Sequence, residues 1–108
     1  MPNTLSLPAE LTIYTVAELH PRWLAWLIGS DADHSAVSIP DDPTRVDAAA
    51  VEEADAAGVQ LLLSLANALA RRERTLQLVN PSPPLTRACT SLGVAALLAN
   101  ADLTGAAA

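Results

Sequence analysis

The chain has 108 residues, enough for one domain with a single core, and a formal charge of -6 that argues against nucleic-acid or anionic-membrane binding. It is 51% apolar but only 3% aromatic, with no Phe, so its core must be built from Leu, Val, Ile and Ala through many small contacts. The lone Cys89 excludes an internal disulfide and suits a reducing compartment.

The first residues, Met1-Pro2-Asn3-Thr4-Leu5, lack a basic stretch followed by an apolar run, so no signal peptide is expected. Leu5, Leu7, Ala9 and Leu11 alternate with Ser6, Pro8, Glu10 and Thr12, the period of a half-buried strand. Pro8 cannot donate to a ladder and marks an edge, a break or a turn between two short strands. Leu11-Thr12-Ile13-Tyr14 is a second strand candidate.

Thr15-Val16-Ala17-Glu18 fits a capping box, with Thr15 as the cap and Glu18 reaching back. Val16, Leu19, Trp23, Leu24, Trp26 and Leu27 then recur at helical spacing, Pro21 distorts the first turns, and Gly29 is expected to stop the helix. Trp23 and Trp26 lie about 60° apart around such a helix, so both line one broad apolar face or one of them meets a partner or a second copy. From Gly29 to Thr44 the chain is polar and reads as a loop, with a short strand allowed at Ala36-Val37-Ser38-Ile39. Asp31, Asp33, His34, Asp41 and Asp42 match no metal-ligand spacing, and a solvated acidic loop is the expectation.

Arg45-Val46-Asp47 opens the central strand, and Val51 to Asp55 carries the chain into a turn of small residues, Ala56-Ala57-Gly58. Gly58 is expected to supply a backbone shape that other residues resist. The helix from Val59 is apolar on almost every side, through Leu61, Leu62, Leu63, Leu65, Ala66 and Leu69, which predicts burial by several neighbours or by a partner. The apolar block is interrupted by Gln60, Ser64 and Asn67 and falls short of the roughly 20 residues that span a bilayer. Arg71, Arg72 and Arg74 close the helix at the negative end of its dipole.

Thr75-Leu76-Gln77-Leu78-Val79 is the next strand, and Asn80-Pro81 breaks it. Ser82-Pro83 reads as an N-cap with proline at the first helical position, Leu85, Ala88, Cys89 and Leu92 as one apolar face, and Gly93 as the stop. Cys89 on that face is expected to be a small core residue. Val94 to Leu98 adds a short apolar segment. Strands separated by helices favour a parallel or mixed sheet covered by helices, an α/β fold. One domain over 1–108 is expected, with its core at about 5–98 and a frayed tail at 99–108.

Three stretches in this order resemble a STAS domain, the sulfate transporter and anti-sigma factor antagonist family: Leu11-Thr12-Ile13-Tyr14-Thr15, Asp55-Ala56-Ala57-Gly58-Val59-Gln60-Leu61-Leu62-Leu63 and Leu76-Gln77-Leu78-Val79-Asn80-Pro81-Ser82. The resemblance implies an α/β fold, a STAS-like four- or five-stranded mixed sheet with helices packed mainly on one face. It also implies a non-enzymatic module that binds a partner through the turn and the following helix. The partner-binding residues expected on this basis are Glu53, Asp55, Ala56, Ala57, Gly58, Val59, Leu62 and Leu63. Many members carry Ser or Thr just after the turn's Asp, where a kinase adds phosphate and releases the partner. Asp55 matches that Asp, but Ala56 stands where the hydroxyl would be, so no phosphorylation site is expected there.

Ala56, Ala57 and Gly58 leave the helix N-terminus open to a partner's carboxylate or carbonyl, while Glu52, Glu53 and Asp55 favour a basic partner. Within the resemblance two partner classes arise. One is a regulatory protein of kinase-like, anti-sigma or chemoreceptor type, bound in bacterial chemotaxis or partner-switching signalling. The other is the ATPase of a lipid-transporting ABC system, to which stand-alone STAS proteins attach as accessory subunits. An enzyme is not expected. His20 and His34 are the only imidazoles and sit in no nucleophile or acid–base arrangement, and the glycines at 29, 58, 93 and 105 make no phosphate loop. No cofactor, metal, nucleic acid or membrane insertion is expected. A cytoplasmic protein is, with self-association as an open alternative.

Overall fold

The computed structural model describes residues 5–36, 44–99 and 101, with residues 30–36 as backbone only. Five short strands and three helices are described, as β1 (Leu5–Ser6), β2 (Glu10–Leu11), α1 (Val16–Ala36), β3 (Thr44–Asp47), β4 (Glu53–Ala54), α2 (Ala56–Arg71), β5 (Leu76–Val79) and α3 (Pro83–Ser91). A single 3-10 turn, Ala95–Leu98, follows. The fold is α/β.

The strands lie in the order β1-β3-β5 in one sheet and β2-β4 in another. The two sheets belong to one band. Pro8 breaks the first segment, and the turn at Ala49 and Ala50 breaks the segment beside it. Leu7 N donates to Asp47 O at 2.9 Å before the break, and Glu52 N donates to Ala9 O at 2.7 Å after it. Leu5 faces Val46 but Glu10 faces Glu53, so the second segment holds two extra residues across the interruption. The Asp47 carboxylate accepts from Ala49 N at 3.0 Å and shapes that turn. The resemblance implies a mixed sheet, yet every strand pair among the described residues is parallel.

The core runs beneath this band. Leu7, Leu11, Val46, Ala48, Val51 and Leu78 come from the strand segments, and Val59, Leu62, Leu65 and Leu69 from one face of α2. Leu19, Trp23 and Leu27 of α1 and Leu85 and Cys89 of α3 complete it. The aliphatic core expected from composition is thus joined by one ring, Trp23. Trp26 packs only partly against it, and its indole N–H is buried without a hydrogen-bond partner among the described residues. Burial raises the pKa of the Cys89 thiol, the behaviour of a core residue rather than a nucleophile.

Several local expectations are corrected. The α1 helix passes through Gly29 to Ala36, so Asp31, Asp33 and His34 lie on helical backbone rather than in a loop. A glycine stops a helix when it takes a left-handed φ. Gly93 does so at +75°, whereas Gly29 does not. The strand suggested at 36–39 meets the end of α1 at Ala36, and its remainder lies outside the described residues, as do Asp41, Asp42 and the tail at 102–108. The Thr15 side chain is not a capping-box donor–acceptor to Glu18. Its hydroxyl accepts from Thr12 N at 3.1 Å and reaches the Glu10 carbonyl at 3.0 Å, so it faces back into the turn. Arg71 lies in the last turn of α2 and the Arg72 guanidinium donates to Ala68 O at 3.0 Å, but Arg74 turns inward, 8% exposed, and donates from Nε to Thr44 Oγ1 at 3.1 Å.

The α2 helix is less uniformly apolar in space than in sequence. Gln60, Ser64, Asn67 and Arg71 form one exposed stripe at helical spacing, opposite the buried face, with Leu61 and Leu63 half-buried at its flanks. Ser82 caps α3 as expected, accepting from Leu85 N at 3.3 Å with Pro83 at the first helical position.

Candidate functional site

The site is built where β2 and β4 end side by side and α2 begins. Leu11 pairs with Ala54, and Asp55 N donates to Leu11 O at 3.2 Å, so the two chains leave the sheet together. One chain then makes a turn through Thr12–Thr15, and the other enters α2.

Asp55 joins the two. Its Oδ1 accepts from Gly58 N at 3.0 Å, capping α2, and its Oδ2 accepts from Ile13 N at 3.0 Å. The Ile13 and Gly58 N–H groups hold the Asp55 carboxyl below the ordinary carboxylate range. The helix N-terminus is therefore not the open anion seat that the small residues suggest: the chain's own carboxylate occupies it.

The turn is braced again by hydroxyls. Thr12 Oγ1 donates to Glu10 Oε2 at 2.6 Å and accepts from Tyr14 N at 3.2 Å. With Thr15 Oγ1 accepting from Thr12 N and Thr15 N donating to Thr12 O, every backbone N–H of the turn is engaged. This fixed backbone turns two apolar side chains outward. Ile13 is 59% exposed and Tyr14 85%. Leu11-Thr12-Ile13-Tyr14 reads as a strand, and in a strand Ile13 would share the buried side of Leu11. Only Leu11 is in a strand, because the hydroxyls and Asp55 draw Thr12 to Thr15 into a turn.

Gly58 sits beneath this turn, not on its surface. A Cβ there would overlap the Leu11 carbonyl and come within 2.8 Å of Leu11 Cγ. Its φ is not left-handed, so the glycine is required for close approach between α2 and β2 rather than for an unusual backbone.

The eight expected site residues separate by burial. Val59 and Leu62 are 2% and 0% exposed, and Gly58 is also buried, so these three hold the site from below and cannot touch a partner. Leu63 and Ala57 are half-buried, as is Asp55. Ala56 and Glu53 are exposed, joined by Glu52 and Gln60. Of the expected apolar contacts Val59 and Leu62 are thus withdrawn into the core, while Ile13 and Tyr14, which sequence reasoning did not single out as site residues, are exposed beside the turn. The available signal was the Thr12…Thr15 pair flanking two apolar residues, a hydroxyl-braced turn.

An open groove of about 670 Å³ runs beside the turn, between Tyr14, Glu52 and Glu53 on one side and Pro84, Arg87 and Ser91 of α3 on the other. A second, narrower apolar groove lies between α1 and α2, lined by Trp23, Leu24, Leu61 and Leu65 among others. No group of three or more His, Cys, Asp or Glu side chains is arranged for a metal among the described residues. Among those residues, no helix is long and apolar enough to cross a membrane.

Comparison with known proteins adds one finding. A family model described as "Mlab, STAS domain" matches residues 2–100. No curated protein and no solved structure matches the chain.

Proposed function

This chain belongs to the STAS family, and we propose that it works there as a non-catalytic protein-binding adaptor in bacterial signal transduction, of chemotaxis or anti-sigma partner-switching type, acting in the cytoplasm. The partner is a regulatory protein, kinase-like, anti-sigma or chemoreceptor-type. It docks over Ala56, Gln60, Glu53 and the Ile13–Tyr14 turn.

The observation that carries this reading is the exposed methyl of Ala56 beside a turn whose backbone is pinned by Asp55. A pinned turn needs little ordering on binding, so more of the contact energy remains as affinity. A methyl group cannot accept phosphate, so binding here is either constitutive or controlled elsewhere than at position 56.

The lack of a phosphorylatable residue at position 56 equally suits a second reading, an accessory subunit held on the ATPase of a lipid-transporting ABC system. The two share the binding surface and differ in what sits on it.

The test is capture of partners on the tagged protein from its native cells, with Ala56→Trp and Ala56→Asp alongside. Position 56 is exposed, so both variants are expected to fold, which circular dichroism checks. A chemoreceptor, histidine kinase or anti-sigma factor lost in both variants supports the adaptor. An ABC ATPase and its permease lost in both moves the protein to transport. Partners retained by both folded variants refute the site.

A further inference from the structure

We propose that the Thr12–Thr15 turn and the groove beside it receive a basic, apolar segment of a partner protein, with an apolar side chain packed on Ile13 and Tyr14 and a cation set against Glu52 and Glu53. The proposal rests on the reading of this end of the fold as the binding surface, and it assigns that surface its chemistry.

Ile13 and Tyr14 are adjacent, exposed and apolar on a backbone that Asp55, Thr12 and Thr15 hold in place. An exposed aromatic ring on a rigid turn loses little freedom when covered, which is why Tyr is over-represented at the energetic centres of interfaces. The groove next to Tyr14 says what else the occupant carries. Its near wall holds Glu52 and Glu53, both exposed, and among the described residues neither carboxylate has a hydrogen-bond or ion-pair partner. Glu53 also lies beside Glu10 in register, so negative charge accumulates along this edge. The whole chain carries -6. A cationic side chain is the complement of that wall, and an acidic or polyphosphate ligand is repelled by it. Across the groove stands Arg87, exposed on α3. It suits a carbonyl or carboxylate of the same segment and sets the segment's direction, with its cation toward β4 and its acceptor toward α3.

The experiment titrates three short synthetic peptides of equal length into the isotope-labelled full chain and follows backbone amides by NMR. One alternates Lys and Leu, one Lys and Ser, one Glu and Leu. The Lys–Leu peptide is expected to shift Ile13, Tyr14, Glu53 and Arg87, and to bind at least about tenfold more tightly than either of the others. Folded Glu52→Lys/Glu53→Lys and Tyr14→Ser variants should each lose about tenfold or more of that affinity. Equal binding of the Glu–Leu peptide, no binding of the Lys–Leu peptide, or shifts confined to Leu24 and Leu61 between α1 and α2 would overturn the proposal. Partner capture keeps the two ideas separable. A natural partner lost by Ala56→Trp but bound normally by the Glu52→Lys/Glu53→Lys and Tyr14→Ser variants leaves the binding surface standing and refutes its assigned chemistry.

Discussion

The STAS resemblance implies a regulated hydroxyl next to the Asp55 position, but in this chain the Asp55 carboxylate serves a structural purpose. One oxygen caps α2 through Gly58 N and the other reaches Ile13 N, 42 residues earlier. Replacing Asp55 with Ala frees both donors at once, so the variant should melt at a lower temperature and its Ile13–Tyr14 turn should exchange amide protons faster. The pH dependence follows from the sign of the shift. Because folding lowers the Asp55 pKa, its contribution is complete above the ordinary value of 3.8 and is lost as pH falls through the lowered one. Melting temperature measured against pH should therefore fall more steeply in the native chain than in Asp55→Asn on the acid side of 3.8. Parallel curves would mean the carboxylate is not what holds the turn.

The α2 helix is the element on which the site depends, and two of its residues show how. Gly58 lets the first turn of α2 lie against the Leu11 carbonyl. A methyl there meets backbone, which cannot swing aside, so Gly58→Ala should destabilise the chain by about 1–3 kcal/mol or more in denaturant unfolding, although alanine is the better helix former. An unchanged midpoint would show that β2 and α2 part easily. At the other end Glu73 takes a φ of 58°, with Glu73 N bonded to Ala70 O and Arg74 N to Leu69 O. This is the left-handed helix stop that glycine usually occupies. Glu73→Gly should thus stabilise by up to about 1 kcal/mol, read from the same unfolding curves. A loss of stability would mean that the Glu73 side chain contributes more than its backbone strain costs.

For the molecule as a whole, the proposed docking makes charge a determinant of association rate. The net charge of -6 is joined by exposed Glu52 and Glu53 at the proposed docking edge. Association with a basic partner should slow as salt rises, while dissociation changes little, because steering acts over distances that ions screen. Stopped-flow or surface-binding kinetics at several ionic strengths would show it. A rate independent of salt would assign recognition to Ile13, Tyr14 and shape alone.

Local chemistry within a few residues was enough to determine much of this protein. The helical spacing of Leu19, Trp23 and Leu27, the Ser82-Pro83 cap and the Gly93 stop each depend on neighbours in sequence, and each stands in the structure. The alternation at Leu5–Leu11 holds at buried Leu7 and Leu11 but fails at exposed Ala9, where Pro8 interrupts the strand. The family was legible as well: the stretches that resemble a STAS domain lie within the match to the family model over residues 2–100. Tertiary structure decided which side of those residues faces water. Gly58, Val59 and Leu62 belong to the same turn and helix as Ala56, yet β2 covers Gly58 and the core takes the other two. Ile13 and Tyr14 look like strand residues until a carboxylate 42 positions away takes the Ile13 N–H. The physical reason is the same in each case: hydrogen bonds and close contacts between segments distant in sequence carry no local signature, and they choose the exposed surface from which function is read.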